Sequence, residues 1–189
     1  MCEIVFNPIT NVTNKYSSKL FNEMGINHVC LANELNIKDI LEVADYTSGN
    51  IEILAQGYYQ ICNSKRPLLT NFFKQFKLKS TSKHYYIKEE SRDYAYPIME
   101  VDNEIFVYID KQRCILNYFK EIKNVNIKYI RIDTVFMDMD EINFFINLYD
   151  SIITNIENLQ LAIDSVSKTN SNLKCLDNIS ILKKEKNNE

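Results

Sequence analysis

Arg131 and Asp133 stand two residues apart in Ile130-Arg131-Ile132-Asp133, so on an extended strand both side chains leave the same face. A guanidinium and a carboxylate reaching one cavity could bind a carboxylate or phosphate; equally they could form a salt bridge inside the fold. Glu34 follows the apolar run His28-Val29-Cys30-Leu31-Ala32. A carboxylate just past a strand could act as general base or hold a cation, or could cap the helix that starts near Asn36. Lys74, Lys77, Lys79 and Lys83, interleaved with Phe72, Phe73, Phe76 and Tyr85, form a basic aromatic stretch. Phosphate contact plus base stacking would suit RNA, and a solvated loop is the plainer alternative.

Other chemistry is harder to find. Cys62 follows the third strand and could be a reactive thiol or a buried inert one. His28 and His84 sit on different elements, and neither is near a Ser or Cys with a local nucleophile signature. The chain has no H-E-x-x-H, no G-x-S-x-G and no papain-like cysteine context, so no known protease mechanism can be read from it. Three glycines leave no phosphate-binding loop of either common type.

These groups need elements to carry them. Glu3 to Phe6, His28 to Ala32 and Ile51 to Ala55 have the length and apolar content of strands. Tyr16 to Met24 and Ile37 to Ala44 have helical spacing between them. Strand, helix, strand, helix, strand at this spacing predicts a parallel sheet with crossover helices. Lys74 to Lys83 is polar and basic, and Tyr85 to Lys88 and Ile105 to Ile109 alternate, which predicts an antiparallel excursion. Arg113 to Ile122 reads as a helix, Ile127 to Ile132 as a strand, and Met139 to Asp150 and Ile156 to Val166 as helices. Residues 1–168 are expected to form a single α/β domain, and 169–189 a polar, disordered tail.

Composition sets the class. The chain has 189 residues, 46% hydrophobic and 25% charged, with a formal net charge of −3. That charge gives no overall pull toward nucleic acid or anionic membrane, so any RNA contact must be local. Five scattered cysteines without C-x-x-C predict free thiols in a reducing cytoplasm and no metal site, and no stretch has the length of a membrane span.

Four segments resemble peptidase family U32, the collagenase-like protease family, in its short form from low-GC Gram-positive bacteria. Asn7-Pro8-Ile9-Thr10-Asn11 with Tyr16-Ser17 is similar to N-x-x-N/S-x-x-Y/F-S, and Leu31 to Ile40 to L-S-x-E-L-[ST]-L-E-E-I. Arg66-Pro67-Leu68-Leu69-Thr70-Asn71 resembles the P-L-L-T-N variant, followed by Tyr85 to Glu90 and Tyr96-Pro97-Ile98. Ile130-Arg131-Ile132-Asp133 resembles the [KR]-I-[ED]-G strand near the end of the family domain. Order and spacing agree from about Met1 to Tyr149.

The resemblance implies the C-terminal part of a (β/α) TIM-barrel-like domain whose N-terminal strand–helix units are missing. In such a barrel functional groups stand at the C-terminal strand ends, here Asn7, Glu34, Gln60, Arg66, Arg131 and Asp133. Glu34, Arg131 and Asp133 are then the catalytic candidates, Asn7, Gln60 and Arg66 substrate-binding positions, and Lys74, Lys77 and Lys79 the nucleic-acid contacts. No cofactor is expected: Pro67 stands where iron–sulfur members have a cysteine, so no Fe–S cluster is implied. Thr134 and Val135 replace the family's Gly and Arg after the last strand. The implied activity is protease-like or the tRNA uridine hydroxylation of some relatives. The alternative is a non-catalytic half-barrel subunit. Such a half-barrel would expose sheet edges and an apolar inner face, and so predicts assembly with itself or a full-length relative.

Overall fold

The computed structural model of the chain describes residues 4–7, 11–79, 84–91 and 94–169. Helix α1 (Lys15–Glu23) starts where the Asn14 side chain accepts from the N–H of Tyr16 and Ser17, at 3.0 and 2.9 Å, and the chain leaves it through Gly25 at φ +86°. Helix α2 (Ile37–Tyr46) is capped by Asn36, which accepts from the Asp39 N–H at 3.0 Å. The capping role considered for Glu34 therefore belongs to Asn36. Strands β1 (Val5–Phe6), β2 (His28–Cys30) and β3 (Asn50–Gly57) alternate with these helices and pair in parallel, Val29 between Phe6 and Ile51. Strand β9 (Ile127–Ile132) pairs in parallel on the other side of β3, Ile53 opposite Ile130.

The expected α/β architecture is present, as an open sheet; no barrel closes among the described residues. Helices α2, α5 (Met139–Thr154) and α6 (Leu159–Thr169) pack on one face of the sheet. Ile40, Val43 and Ala44 of α2 join Phe145, Tyr149 and Ile152 of α5 and Ala162 of α6 against Val29, Ile51, Ile53 and Ala55. Tyr149 donates to the Ala55 carbonyl at 3.0 Å, tying α5 to the centre of β3. Because side chains alternate along a strand, His28, Cys30, Glu52 and Gln56 take the opposite face. That face was expected to be apolar and in need of cover. It is mixed instead: buried Leu54 stands between Glu52 and Gln56, while Val29, Ile51 and Ile53 are spent on the helix layer.

Gln56 and Gly57 also pair with a short antiparallel strand, β8 (Arg113–Cys114), followed by a 3-10 turn (Leu116–Tyr118) and helix α4 (Phe119–Lys123). A helix was expected over Arg113 to Ile122; its first part is captured by the sheet, a tertiary pairing that local periodicity does not report. The antiparallel excursion is a second sheet, ordered β4-β7-β6-β5, from β4 (Gln60–Ser64), β5 (Tyr85–Lys88), β6 (Ala95–Val101) and β7 (Glu104–Tyr108). Asp102 and Asn103 join β6 to β7 with φ +52° and +66°, the left-handed pair a two-residue hairpin requires. Helix α3 (Leu68–Phe76) lies between β4 and β5, where a loop was the alternative to an RNA contact. Apart from Thr169 in α6, the expected tail lies outside the described residues.

Candidate functional site

A charge in the middle of an apolar strand must find a partner. Glu52 on β3 and Arg131 on β9 find each other, Arg131 Nη1 donating to Glu52 Oε1 at 3.1 Å. His28 Nε2 lies 3.0 Å from Glu52 Oε2, its ring stacked on Tyr129 with centroids 4.4 Å apart. The Cys30 thiol donates to Glu52 Oε1 at 3.1 Å, and Arg131 Nη1 lies 2.8 Å from its sulfur. Burial first, then the Glu52 carboxylate, push the Cys30 thiol up to about 12 against the opposing pull of Arg131. Cys30 is thus a protonated hydrogen-bond donor at neutral pH, not a nucleophile. His28, Cys30 and Glu52 are ligand types for a metal, but the Arg131 cation occupies the space between sulfur and carboxylate. Among the described residues no group is arranged to hold a metal ion.

Arg131 and Arg113 together fix the loop that presents Glu34. Arg131 Nη2 donates to Asn33 Oδ1 at 2.8 Å, while Arg113 donates to the carbonyls of Asn33 (2.5 Å) and Leu35 (2.8 Å). Both neighbours of Glu34 are held, and its own side chain is exposed. Burial lowers the Arg113 pKa, and Arg131 adds repulsion. Burial raises the Tyr59 phenol, Arg113 opposes it, and the charges of Glu34 and Asp110 add to the rise. A solvent-facing carboxylate on a loop held at both neighbours can accept a proton from a bound substrate.

Asp133 does not join Arg131. Its carboxylate accepts from the Val135 N–H at 3.2 Å and its backbone N–H donates to Gln56 at 2.8 Å, so the strand pair ends in a turn rather than a shared Arg–Asp cavity. Alternation predicts one shared direction for the two, but β9 ends at Ile132 and Asp133 stands in the turn beyond it, while Glu52 on β3 takes Arg131. A Cβ at Gly57, where φ is +117°, would overlap the Asp133 carbonyl, which is why glycine ends β3. Phe136, in the same turn at φ +66°, places its ring against Tyr58, His84 and Tyr108 at 5.7, 5.5 and 5.1 Å. A bulky left-handed residue is costly, and here it pins the second sheet to the C-terminal end of the first.

The remaining positions separate into two groups. Asn7 follows β1 at the same end of the sheet as Glu34 and Asp133. Gln60, expected at the end of a parallel strand, opens β4 opposite Tyr108 instead. Arg66 lies in the turn before α3, Lys74 within it, Lys77 at its left-handed C-cap and Lys79 just beyond; all four are exposed. Cys62 is exposed on β4 rather than buried. Lys83 lies outside the described residues. The sequence reading passed over Glu52, Asn33, Tyr59, Arg113 and Phe136. Glu52 had a usable signal: like Arg131, it is a lone charge inside a run of strand-forming apolar residues.

The model of peptidase family U32 matches residues 1–181. A curated relative, tRNA hydroxylation protein P2 of Bacillus subtilis (strain 168), is 28% identical over 132 residues, covering 67% of this chain. The match takes in 43% of that relative, so the chain spans less than half its length. No solved structure matches. On the strength of the family match, which covers nearly the whole sequence and includes Glu34, Glu52, Arg113 and Arg131, the chain belongs to peptidase family U32.

Proposed function

We propose that this chain works in tRNA modification, in the hydroxylation of a uridine, with its parallel sheet forming part of a (β/α) barrel. The observation that carries the proposal is the similarity to a protein named for tRNA hydroxylation. A second supports it: the described exposed cations Arg66, Lys74, Lys77 and Lys79 cluster around one helix, giving a net acidic chain a local site for phosphates. In this scheme those four side chains hold the RNA backbone. Glu34 accepts a proton at the strand ends, Arg131 and Arg113 keep it in place, and Asn7, Gln60 and Asp133 contact the substrate. The Cys30 thiol stays protonated, so no covalent thiol step is assigned to it.

The test is nucleoside mass spectrometry of total tRNA from cells lacking the gene. Loss of a hydroxylated uridine, restored by the wild-type gene but not by Glu34→Gln, is the expected result; an unchanged nucleoside profile would overturn the proposal. The assembly role has weaker support, in the exposed Ile4 and Val5 at the sheet edge.

A further inference from the structure

From Ile53 to Lys88 the chain contains seven of its 22 Lys and Arg residues and none of its 25 Asp and Glu. This acid-free stretch includes β4, α3 and β5. Among the described residues, the carboxylate that hydrogen-bonds to α3 from outside is Glu100 of β6, engaged at the helix start, accepting from the N–H of Leu69 at 2.8 Å and from the Thr70 N–H and hydroxyl. No residue of α3 is buried. Leu69 and Phe73 rest half-buried toward the sheet, the Phe73 ring 5.2 Å from Tyr85. Leu68, Phe72 and Phe76, spaced by four, form the neighbouring stripe and face solvent. Phe72 is 49% and Phe76 56% exposed, their rings 4.8 Å apart.

The Phe72 ring meets Phe73 edge-on at 5.8 Å, which anchors the pair, yet about half of each ring stays open to solvent beside lysines that have no ion pair among the described residues. A polyanion that carries flat aromatic groups satisfies both features at once, because its phosphates meet the lysines and its bases stack on the rings. The bases must be unpaired, since paired bases bury their faces in the stack. Lys77 and Lys79 follow Phe76 directly at the turned C-terminus of α3, where a backbone leaving the two rings would pass. Lys74, two residues from both Phe72 and Phe76, points away from them and adds to the field rather than to the stack.

We infer that Phe72 and Phe76 form a stacking ledge for unpaired bases, so that α3 selects a single-stranded loop of RNA over a duplex. This rests on the tRNA reading above and names the part of the RNA that this surface takes.

The experiment measures binding of the full chain to a hairpin RNA with a seven-base loop, to a blunt duplex of equal charge, and to polyglutamate of equal charge. Phe72→Leu and Phe76→Leu keep an apolar side chain and the fold, checked by circular dichroism, while removing the ring. The hairpin is expected to bind at least tenfold tighter than the duplex, and each substitution to weaken hairpin binding about tenfold with duplex binding unchanged. Equal loss on hairpin and duplex, or no loss on either, would overturn the ledge while leaving tRNA binding in place. Polyglutamate binding as tightly as the hairpin would assign the surface to an acidic protein partner and overturn it too. Absence of binding to every RNA would overturn the tRNA reading itself together with the ledge.

Discussion

Glu52 and Arg131 meet at 3.1 Å across neighbouring parallel strands, on the face of the sheet turned away from the helices, with side chains 17% and 27% exposed. The pair sits between His28, Cys30 and Asn33, so it links three strands and the Glu34 loop in a single network. Its first consequence is for stability. Glu52→Gln and Arg131→Met should each cost about 2 kcal/mol, below the full penalty of breaking a buried pair because both groups retain some water. The double substitution should cost less than the sum, by about 1 kcal/mol or more, in urea unfolding. Strict additivity would mean the two charges do not interact.

A second expectation concerns alkaline pH. The Cys30 thiol has its pKa raised from 9.0 to about 12, so the folded state holds that proton more tightly than the unfolded chain. The stabilisation is complete below about pH 8.5 and is lost as pH rises toward 12. Wild-type stability relative to Cys30→Ala should therefore fall between pH 9 and 11, measured by denaturant unfolding at stepped pH. A pH-independent difference would contradict the raised pKa. In the native protein at pH 8, mass-resolved alkylation should modify Cys62 well before Cys30 or Cys114, which are buried.

Gly57 gives a third expectation. With φ at +117° and the Asp133 carbonyl where a Cβ would stand, Gly57→Ala should destabilise by about 3 kcal/mol or more, visible as a drop in Tm. An unchanged Tm would mean that β3 and β9 part easily at their C-terminal ends, and the link to the Asp133 turn would fall with it.

Much of this fold was legible in residue pattern alone. Strand β9 was read with its observed bounds, Ile127 to Ile132, and β2, β3, α1, α2 and α5 were found to within a few residues, because each is a periodic run closed by Gly, Asn or Asp. The misses have a shared physical cause. Arg113 and Cys114 look helical locally and become a strand only because Gln56 and Gly57 offer an edge. The Arg131–Asp133 pair expected from strand alternation does not form: β9 ends at Ile132, and Glu52, 79 residues from Arg131 in sequence, takes the guanidinium. Helix α3 lacks a side-chain N-cap of its own and borrows Glu100 from β6, so no start signal marks it in sequence. Glu34 was located correctly, but the arginines that hold its loop come from 78 to 98 residues away and leave no mark in its local sequence.

The most direct test of the tRNA role is fluorescence anisotropy of labelled deacylated tRNA titrated with the purified full chain at 50 and 200 mM salt. The wild-type protein should bind, and should weaken steeply as salt rises. The triple variant Lys74→Glu, Lys77→Glu, Lys79→Glu should bind more weakly, with a log–log salt slope shallower by about two. Wild-type protein that fails to bind tRNA at 50 mM salt, or a triple variant with the same affinity and the same slope, would contradict it.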